Sequence, residues 1–133
     1  MSTVKSFTVG SVTVNASMPS ALEQDEVLSL MSAEIIQRAF VAARSNVEMG
    51  EQLLTTMFMS MNTSVKRRVA DVLLSKALVS GTNTRINVAD FQGKMVDYNK
   101  LLAQLTLWNY EDFFTYLSDA VNVARTEQQP PAE

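Results

Sequence analysis

The chain has 133 residues, of which 47% are hydrophobic and 19% are charged, and its formal net charge at pH 7 is -3. This composition is typical of one globular domain, and no apolar run approaches the roughly 18 residues that a membrane span needs. Because the chain contains neither Cys nor His, disulfides, imidazole or thiolate metal ligands and Ser–His or Cys–His nucleophile pairs are excluded. We therefore predict that it is not an enzyme and needs no metal or cofactor.

The N-terminal segment has the alternation of a β-hairpin. Over residues 4–16, apolar side chains alternate with polar ones on both sides of Gly10-Ser11, a pair that suits a two-residue turn. An isolated hairpin is only marginally stable in water, so one face of it is expected to pack on the segments that follow.

The first helical segment is predicted to begin at Ser20. Ser20 and Glu23 have the spacing of a capping box, in which the hydroxyl and the carboxylate each accept a backbone N–H. Residues 20–45 carry two successive apolar stripes at helical spacing, which fits either one helix or two helices with a bend near Ser32.

The middle of the chain predicts two further helices. Asn46 and Asn62 are suitable N-caps for them, and the apolar positions of the second continue to Val79. Gly81 suits the left-handed position that closes this second helix. Residues 82–88 are then a connector or a short strand.

Two more helices are predicted near the C-terminus. Asn87 and Asp90 are spaced to open the first of them, and its apolar face begins at Phe91 and includes Met95. Asn109 and Asp112 are spaced to open the last helix.

The fold class is therefore mainly α, with an N-terminal β-hairpin packed on a bundle of about five helices. A single domain spans residues 1–125, its helices ending near residue 124, and residues 126–133 have the polar composition of a disordered tail.

Basic side chains concentrate in the middle of this acidic chain. Residues 63–88 hold five bases and one acid, and three of the bases are consecutive: Lys66, Arg67 and Arg68. They lie at a predicted helix start, where the helix dipole disfavours cations, so a partner acid is expected nearby. A small helical nucleic-acid-binding regulator is one interpretation, although the low pI of about 4.9 favours a solvated face over a phosphate-binding one.

The chain has more methionine and aromatic side chains, close together, than one buried helix face can hold. Four of the eight methionines lie close together, at positions 49, 57, 59 and 61, and thioethers suit both irregular cores and adaptable binding surfaces. By the helical count Met59 lies off the face shared by Met57 and Met61. Seven of the ten aromatic residues lie between positions 91 and 116, where adjacent Phe113 and Phe114 require either a wide buried face or an exposed aromatic anchor.

Two stretches resemble a known family. Val12-Thr13-Val14 followed by Pro19–Gln24 and Leu28–Met31 resembles the opening of the tail assembly chaperones of long-tailed bacteriophages, of the lambda G protein type. Val88–Met95, continuing through Leu101-Leu102 to Trp108–Phe113, is similar to the closing segment of related phage chaperones. Together with the Pro-Ala-Glu tail, the resemblance covers about half of the chain.

The resemblance implies a small helical protein of the host cytoplasm that coats the tape-measure protein before the tail tube polymerises and is absent from the virion. Self-association is predicted both from this family and from the Met-rich and aromatic segments, which offer more apolar surface than one small core uses. The low pI and the lack of a long apolar run predict that no nucleic acid and no membrane is a partner. In many members a ribosomal frameshift produces a longer form that engages tail tube subunits. The lambda-type Gly-Lys near the C-terminus is missing here, so only the nucleotide sequence can show whether a longer form exists.

Candidate contacts with the tape-measure protein follow from side chains that one buried stripe does not explain. The apolar candidates are Met57, Met59, Met61, Trp108 and Tyr110. The basic residues Lys66, Arg67 and Arg68 are expected to steer the client and to act on association rate and salt dependence.

Overall fold

Five α-helices and a three-stranded antiparallel sheet make up the part of the chain that the computed structural model describes, residues 4–45 and 50–128. The prediction of a mainly helical chain is thereby confirmed. The elements in chain order are β1 (Val4–Val9), β2 (Val12–Ser17), α1 (Ala21–Arg44), α2 (Glu51–Ser60), α3 (Thr63–Leu73), β3 (Ala77–Val79), a 3-10 helix (Val88–Phe91), α4 (Met95–Asn109) and α5 (Glu111–Gln128). No helix in these ranges is both long and apolar enough to cross a membrane.

The predicted hairpin exists but forms part of a larger sheet. β1 and β2 pair in the register that sets Phe7 opposite Val14, and Gly10 turns the chain at a φ of 59°. Phe7, Val14 and Ala16 are buried, while the opposite face of the hairpin is polar, as the alternation requires. β3 then pairs with β2 in the order β1-β2-β3, an addition that the short apolar run 77–79 did not signal.

The helix predicted to reach Val79 ends earlier, and the prediction for Gly81 was wrong in part. α3 ends at Leu73, and the chain turns back through β3, where the Val79 N–H donates to the carbonyl of Thr84 at 2.8 Å. Gly81 has the predicted positive φ, at 79°, but lies in this turn rather than at a helix end. Pairing with β2 outweighs the helical spacing because it satisfies backbone groups and buries Ala77.

α1 is one continuous helix, which decides between the two predicted alternatives. Both bonds of the capping box form: the Glu23 N–H donates to Ser20 Oγ at 3.2 Å, and the Ser20 N–H donates to Glu23 Oε1 at 3.3 Å. Val27, Met31 and Ile35 are completely buried on one face. Asn62 caps α3 as predicted. The predicted cap Asn46 lies outside the described residues, and Gly50 occupies the N-cap position of α2. Met49 of the methionine cluster also lies outside the described residues.

α4 is the central helix of the fold. Leu101, Leu102, Ala103 and Leu105 are all fully buried, and the helix packs against α2, α3, α5 and β1. The capping pair Asn87 and Asp90 forms as predicted but opens the 3-10 helix rather than α4. α4 starts only at Met95, because the chain turns at Gly93 with a φ of 78°.

The C-terminal helix begins where the sequence predicts a break, although Asn109 does not cap it. Asn109 is the last residue of α4; its Nδ2 donates to the carbonyl of Leu105 at 2.9 Å, and its Oδ1 accepts from Gln24 Nε2 at 3.0 Å. α5 continues to Gln128, four residues beyond the predicted helix end near residue 124. Residues 129–133 lie outside the described part of the chain.

Candidate partner-binding surface

The methionine cluster divides between core and surface. Met57 is fully buried and Met61 is 7% exposed, whereas Met59 on the other side of α2 is 48% exposed. Met57 and Met61 belong to the core cluster that α4 and α1 also contribute to. Two of the three methionine candidates are therefore corrected to core residues, and only Met59 is available to a partner.

Arg68 is already engaged within the protein. Its Nε donates to Glu26 Oε2 at 2.8 Å and its Nη2 donates to Glu26 Oε1 at 2.7 Å, while Nη1 lies 3.4 Å from Asp71 Oδ2. These hydrogen bonds hold the pKa of Glu26 below its ordinary value. The acid that the basic cluster was expected to need is thus supplied by α1, and Arg68 is not a free contact for a client.

The other two basic candidates differ from Arg68 and from each other. The Lys66 ammonium lies 5.6 Å from the centroid of the Tyr98 ring, and burial of this half-buried side chain lowers its pKa. Arg67 is exposed, and no ion pair is formed by it within the described residues. The three consecutive charges therefore point into three environments and do not form one patch.

Trp108 and Tyr110 join elements rather than project from them. The half-buried Trp108 packs edge-to-face on Phe7 of β1, with ring centroids 5.5 Å apart. Tyr110 is only 4% exposed, and its hydroxyl donates to the carbonyl of Gln24 at 2.9 Å. Burial raises the pKa of Tyr110 far above its usual range. Tyr110 is therefore corrected to a core residue, and Trp108 to a contact between α4 and the sheet.

An apolar surface that the sequence analysis did not single out lies along α5. Leu117 and Val121 are buried, but Tyr116 beside them is 71% exposed and Val123 is 58% exposed. Steps of four and three place Tyr116, Ala120 and Val123 on one side of the helix, next to Phe113. We call these four residues, Phe113, Tyr116, Ala120 and Val123, the α5 flank. Phe113 also meets Phe114 edge-to-face at 5.5 Å, and both rings are half-buried. The exposed aromatic residue of this helix is Tyr116.

The signal for the α5 flank is present in the sequence. A stripe of Tyr116, Ala120 and Val123 runs parallel to the stripe of Leu117 and Val121, so the helix is apolar over more than the width of one contact. Trp108 and Tyr110 were predicted as contacts instead, because a single buried stripe does not explain their spacing.

A cleft of about 430 Å³ lies between α1 and the start of α2. Arg38 on its wall donates from Nη2 to Glu34 Oε1 and to Ser60 Oγ, both at 3.2 Å, while its Nε is buried and has no partner within the described residues. Val41 and Leu53 add apolar area to the wall. In the described ranges, no group of three or more acidic side chains is arranged to hold a metal ion.

The geometry defines a mainly helical domain with a small antiparallel sheet, and it places exposed apolar side chains chiefly on α1, α4 and α5. Scans against protein-family models, curated proteins and solved structures find no match for this chain.

Proposed function

We propose that this protein is a tail assembly chaperone of a long-tailed bacteriophage. In this role it binds the tape-measure protein in the host cytoplasm, keeps it soluble and helps to recruit tail tube subunits. Two features support the proposal: the sequence segments that resemble this family, and the α5 flank as a surface for a helical client.

The two resembling stretches meet in the fold. Gln24, which belongs to the first stretch, donates from Nε2 to Asn109 Oδ1 at 3.0 Å, and its carbonyl accepts from the Tyr110 hydroxyl at 2.9 Å. These residues are 85 and 86 positions apart in the chain. Two segments so distant in the chain that share part-buried hydrogen bonds belong to one structural unit.

The observation that carries the proposed binding mode is the exposure of Tyr116 on the same side of α5 as Val123. A helical client presents an apolar stripe with the same spacing, and such stripes bind exposed apolar helix faces or grooves. Tyr116 provides a large anchor with few rotatable bonds, and the small side chain of Ala120 lets a client helix approach closely. An exposed flank, unlike a deep pocket, also permits release when the tube assembles.

The residues proposed to contact the client are revised accordingly. Met59 and Arg67 are kept from the sequence candidates because both are exposed. Lys66 keeps a secondary role through charge alone. The α5 flank becomes the main contact.

The alternative, a nucleic-acid-binding regulator that uses Lys66, Arg67 and Arg68, has less support. Arg68 is paired with Glu26 and Asp71, and Lys66 packs on Tyr98, so Arg67 alone of the three extends into solvent without a described partner. A gel-shift titration with duplex DNA over a range of salt concentrations tests this alternative, and we expect no salt-dependent shift.

Co-expression with the tape-measure protein of the same genome tests the proposed function. The wild-type protein should keep the client soluble and co-purify with it, and the variant Tyr116→Ser with Val123→Ser should lose most of this activity. Val96→Ser is the matched control, because Val96 on α4 is 53% exposed and Val123 is 58% exposed. If the flank variant performs as well as Val96→Ser, the contact lies elsewhere. If the wild type neither solubilises nor retains the client, the proposed function is wrong.

A further inference from the structure

The α5 flank repeats at the spacing of a coiled-coil seam. Phe113 and Ala120 are seven residues apart, Tyr116 and Val123 are also seven residues apart, and Tyr116 follows Phe113 by three. These are the a and d positions of two heptads, the pattern by which one helix packs along another. Tyr116 and Val123 are exposed, so no helix of the described residues covers the d positions of this seam.

The positions that border the seam differ on its two sides. Leu117 is buried and Ala124 is half-buried, and these e positions lie on the side of the domain. Asp112 and Asp119 occupy the two g positions on the other side, and both are exposed. Charges at e and g positions form ion pairs between helices and set which partner a seam accepts. The seam therefore presents acidic side chains to a helix that packs on it.

The acids of α5 are available to a partner. Residues 111–124 contain Glu111, Asp112 and Asp119 but neither Lys nor Arg. None of these three carboxylates forms an ion pair within the part of the chain that the structure describes. A cation of a partner can therefore pair with Asp112 and Asp119 without displacing a cation inside the domain.

The same charges argue against other occupants of the seam. Membrane surfaces and nucleic acids are anionic, and the helices that bind them carry Lys and Arg. A second copy of residues 111–124 offers the same acids and no base, so pairing two copies of the seam sets like charges beside each other. A basic helix is the partner whose charge complements this seam.

We propose that the client segment that binds the α5 flank is an amphipathic helix with a heptad apolar stripe bordered by Lys or Arg. Its apolar side chains pack on Tyr116 and Val123, and the small Ala120 lets the two helices approach closely. Its cations lie beside Asp112 and Asp119. The inference rests on the proposed function, because it takes the α5 flank as the client contact, and it adds the charge and the repeat of the client segment.

Binding of two designed peptides to the full chain tests this inference. Both peptides have about three heptads with Leu at a and d; one carries Lys and the other Glu at every e and g position, so neither pairs with itself. Fluorescence anisotropy of the labelled peptides measures their dissociation constants. At low ionic strength the wild type should bind the Lys peptide about tenfold tighter than the Glu peptide, and this preference should fall as salt screens the charges.

Neutral variants show whether the preference comes from the g positions. Asp112→Asn combined with Asp119→Asn should reduce it to less than about threefold. Glu34→Gln combined with Asp71→Asn is the matched control, because it also removes two negative charges, from acids on α1 and α3, and it should keep the preference. Circular dichroism shows whether each variant folds. If one does not, the comparison of the two peptides on the wild type decides by itself.

Three outcomes overturn the inference: the wild type binds the Glu peptide as tightly as the Lys peptide, it binds neither peptide, or the full preference persists without the charges of Asp112 and Asp119. Tyr116→Ser combined with Val123→Ser must lose binding of the Lys peptide, since binding that persists in this variant lies outside the flank and contradicts the inference too.

Co-expression with the tape-measure protein separates this inference from the proposed function. If the client is retained through the flank but the variant without the charges of Asp112 and Asp119 retains it as well as the wild type does, the function stands and the inference fails. If the Lys peptide is preferred through the flank but the tape-measure protein is not retained, the proposed function fails and the chemistry of the partner helix stands.

Discussion

Arg68 on α3 binds Glu26 on α1 through two parallel hydrogen bonds, of 2.8 Å from Nε and 2.7 Å from Nη2. The two residues are 42 positions apart, so this fork joins elements that the sequence separates by all of α2. Both side chains are nearly half exposed, and the pair therefore resembles a surface ion pair of good geometry rather than a buried one. Its role is to orient α3 against α1.

We predict that Glu26→Gln lowers the melting temperature near neutral pH and has little effect in acid. The bonds to Arg68 lower the pKa of Glu26 in the folded state, so the pair stabilises the fold above the pKa that Glu26 has when unfolded. That contribution is lost as pH falls through the lowered pKa. Thermal unfolding of both proteins at about pH 7 and about pH 3 measures the effect. In an Arg68→Met background the substitution should change nothing at either pH, and a persistent difference there would contradict the assignment to this pair.

The methionines of α2 allow a direct comparison of core and surface. Met57 is fully buried and Met59 is 48% exposed. We predict that Met57→Ala reduces the free energy of unfolding by about 2–5 kcal/mol, because it leaves a cavity. Met59→Ala should change it by less than about 0.5 kcal/mol. Urea unfolding measures both, and similar losses for the two variants would show that Met59 packs in the core.

Gly10 combines a positive φ with a close neighbour. Its φ is 59°, and a Cβ added there would lie 2.5 Å from Asp97 Oδ2. Gly10→Ala should cost about 1–2 kcal/mol from the left-handed backbone, with a further loss from moving Asp97. Gly81→Ala, at a φ of 79° with no atom within 4 Å, reports the backbone cost alone. Urea unfolding should show a larger loss of unfolding free energy for Gly10→Ala than for Gly81→Ala. In an Asp97→Ala background the two losses should become more similar. Equal losses in the wild-type background would mean that the Asp97 side chain moves away freely.

Tyr110 should make stability sensitive to alkaline pH. Burial raises its pKa in the folded protein, so its contribution is complete below the ordinary tyrosine pKa of about 10 and is lost as pH rises above it, where the unfolded chain releases the proton first. Tyr110→Phe should cost about 1 kcal/mol near neutral pH by leaving the Gln24 carbonyl without its donor. It should also flatten the alkaline loss, measured by chemical unfolding across that range. Tyr116→Phe is the control, because Tyr116 is 71% exposed; an equal effect there would refute the role of burial.

The sequence by itself determined the features that depend on near neighbours in the chain. The alternation around Gly10-Ser11 specified the hairpin, the spacing of Ser20 and Glu23 specified the start of α1, and Asn62 specified the start of α3. Each is decided by contacts within a few residues, between a side chain and the adjacent backbone. The lack of Cys and His likewise set the available chemistry without any structure.

Only the tertiary structure decided which side chains face solvent, and that decided the candidate surface. Met61 and Tyr110 are buried in the shared core, and Arg68 is engaged at the surface because the fold brings Glu26 to it from 42 positions away in the chain. β3 forms because β2 offers it a free edge, although its short sequence has no strand pattern of its own. Long-range packing sets these outcomes, since a helical stripe shows that a face is apolar but does not show how much of it a neighbour covers. On α5 the neighbours cover Leu117 and leave Tyr116 exposed.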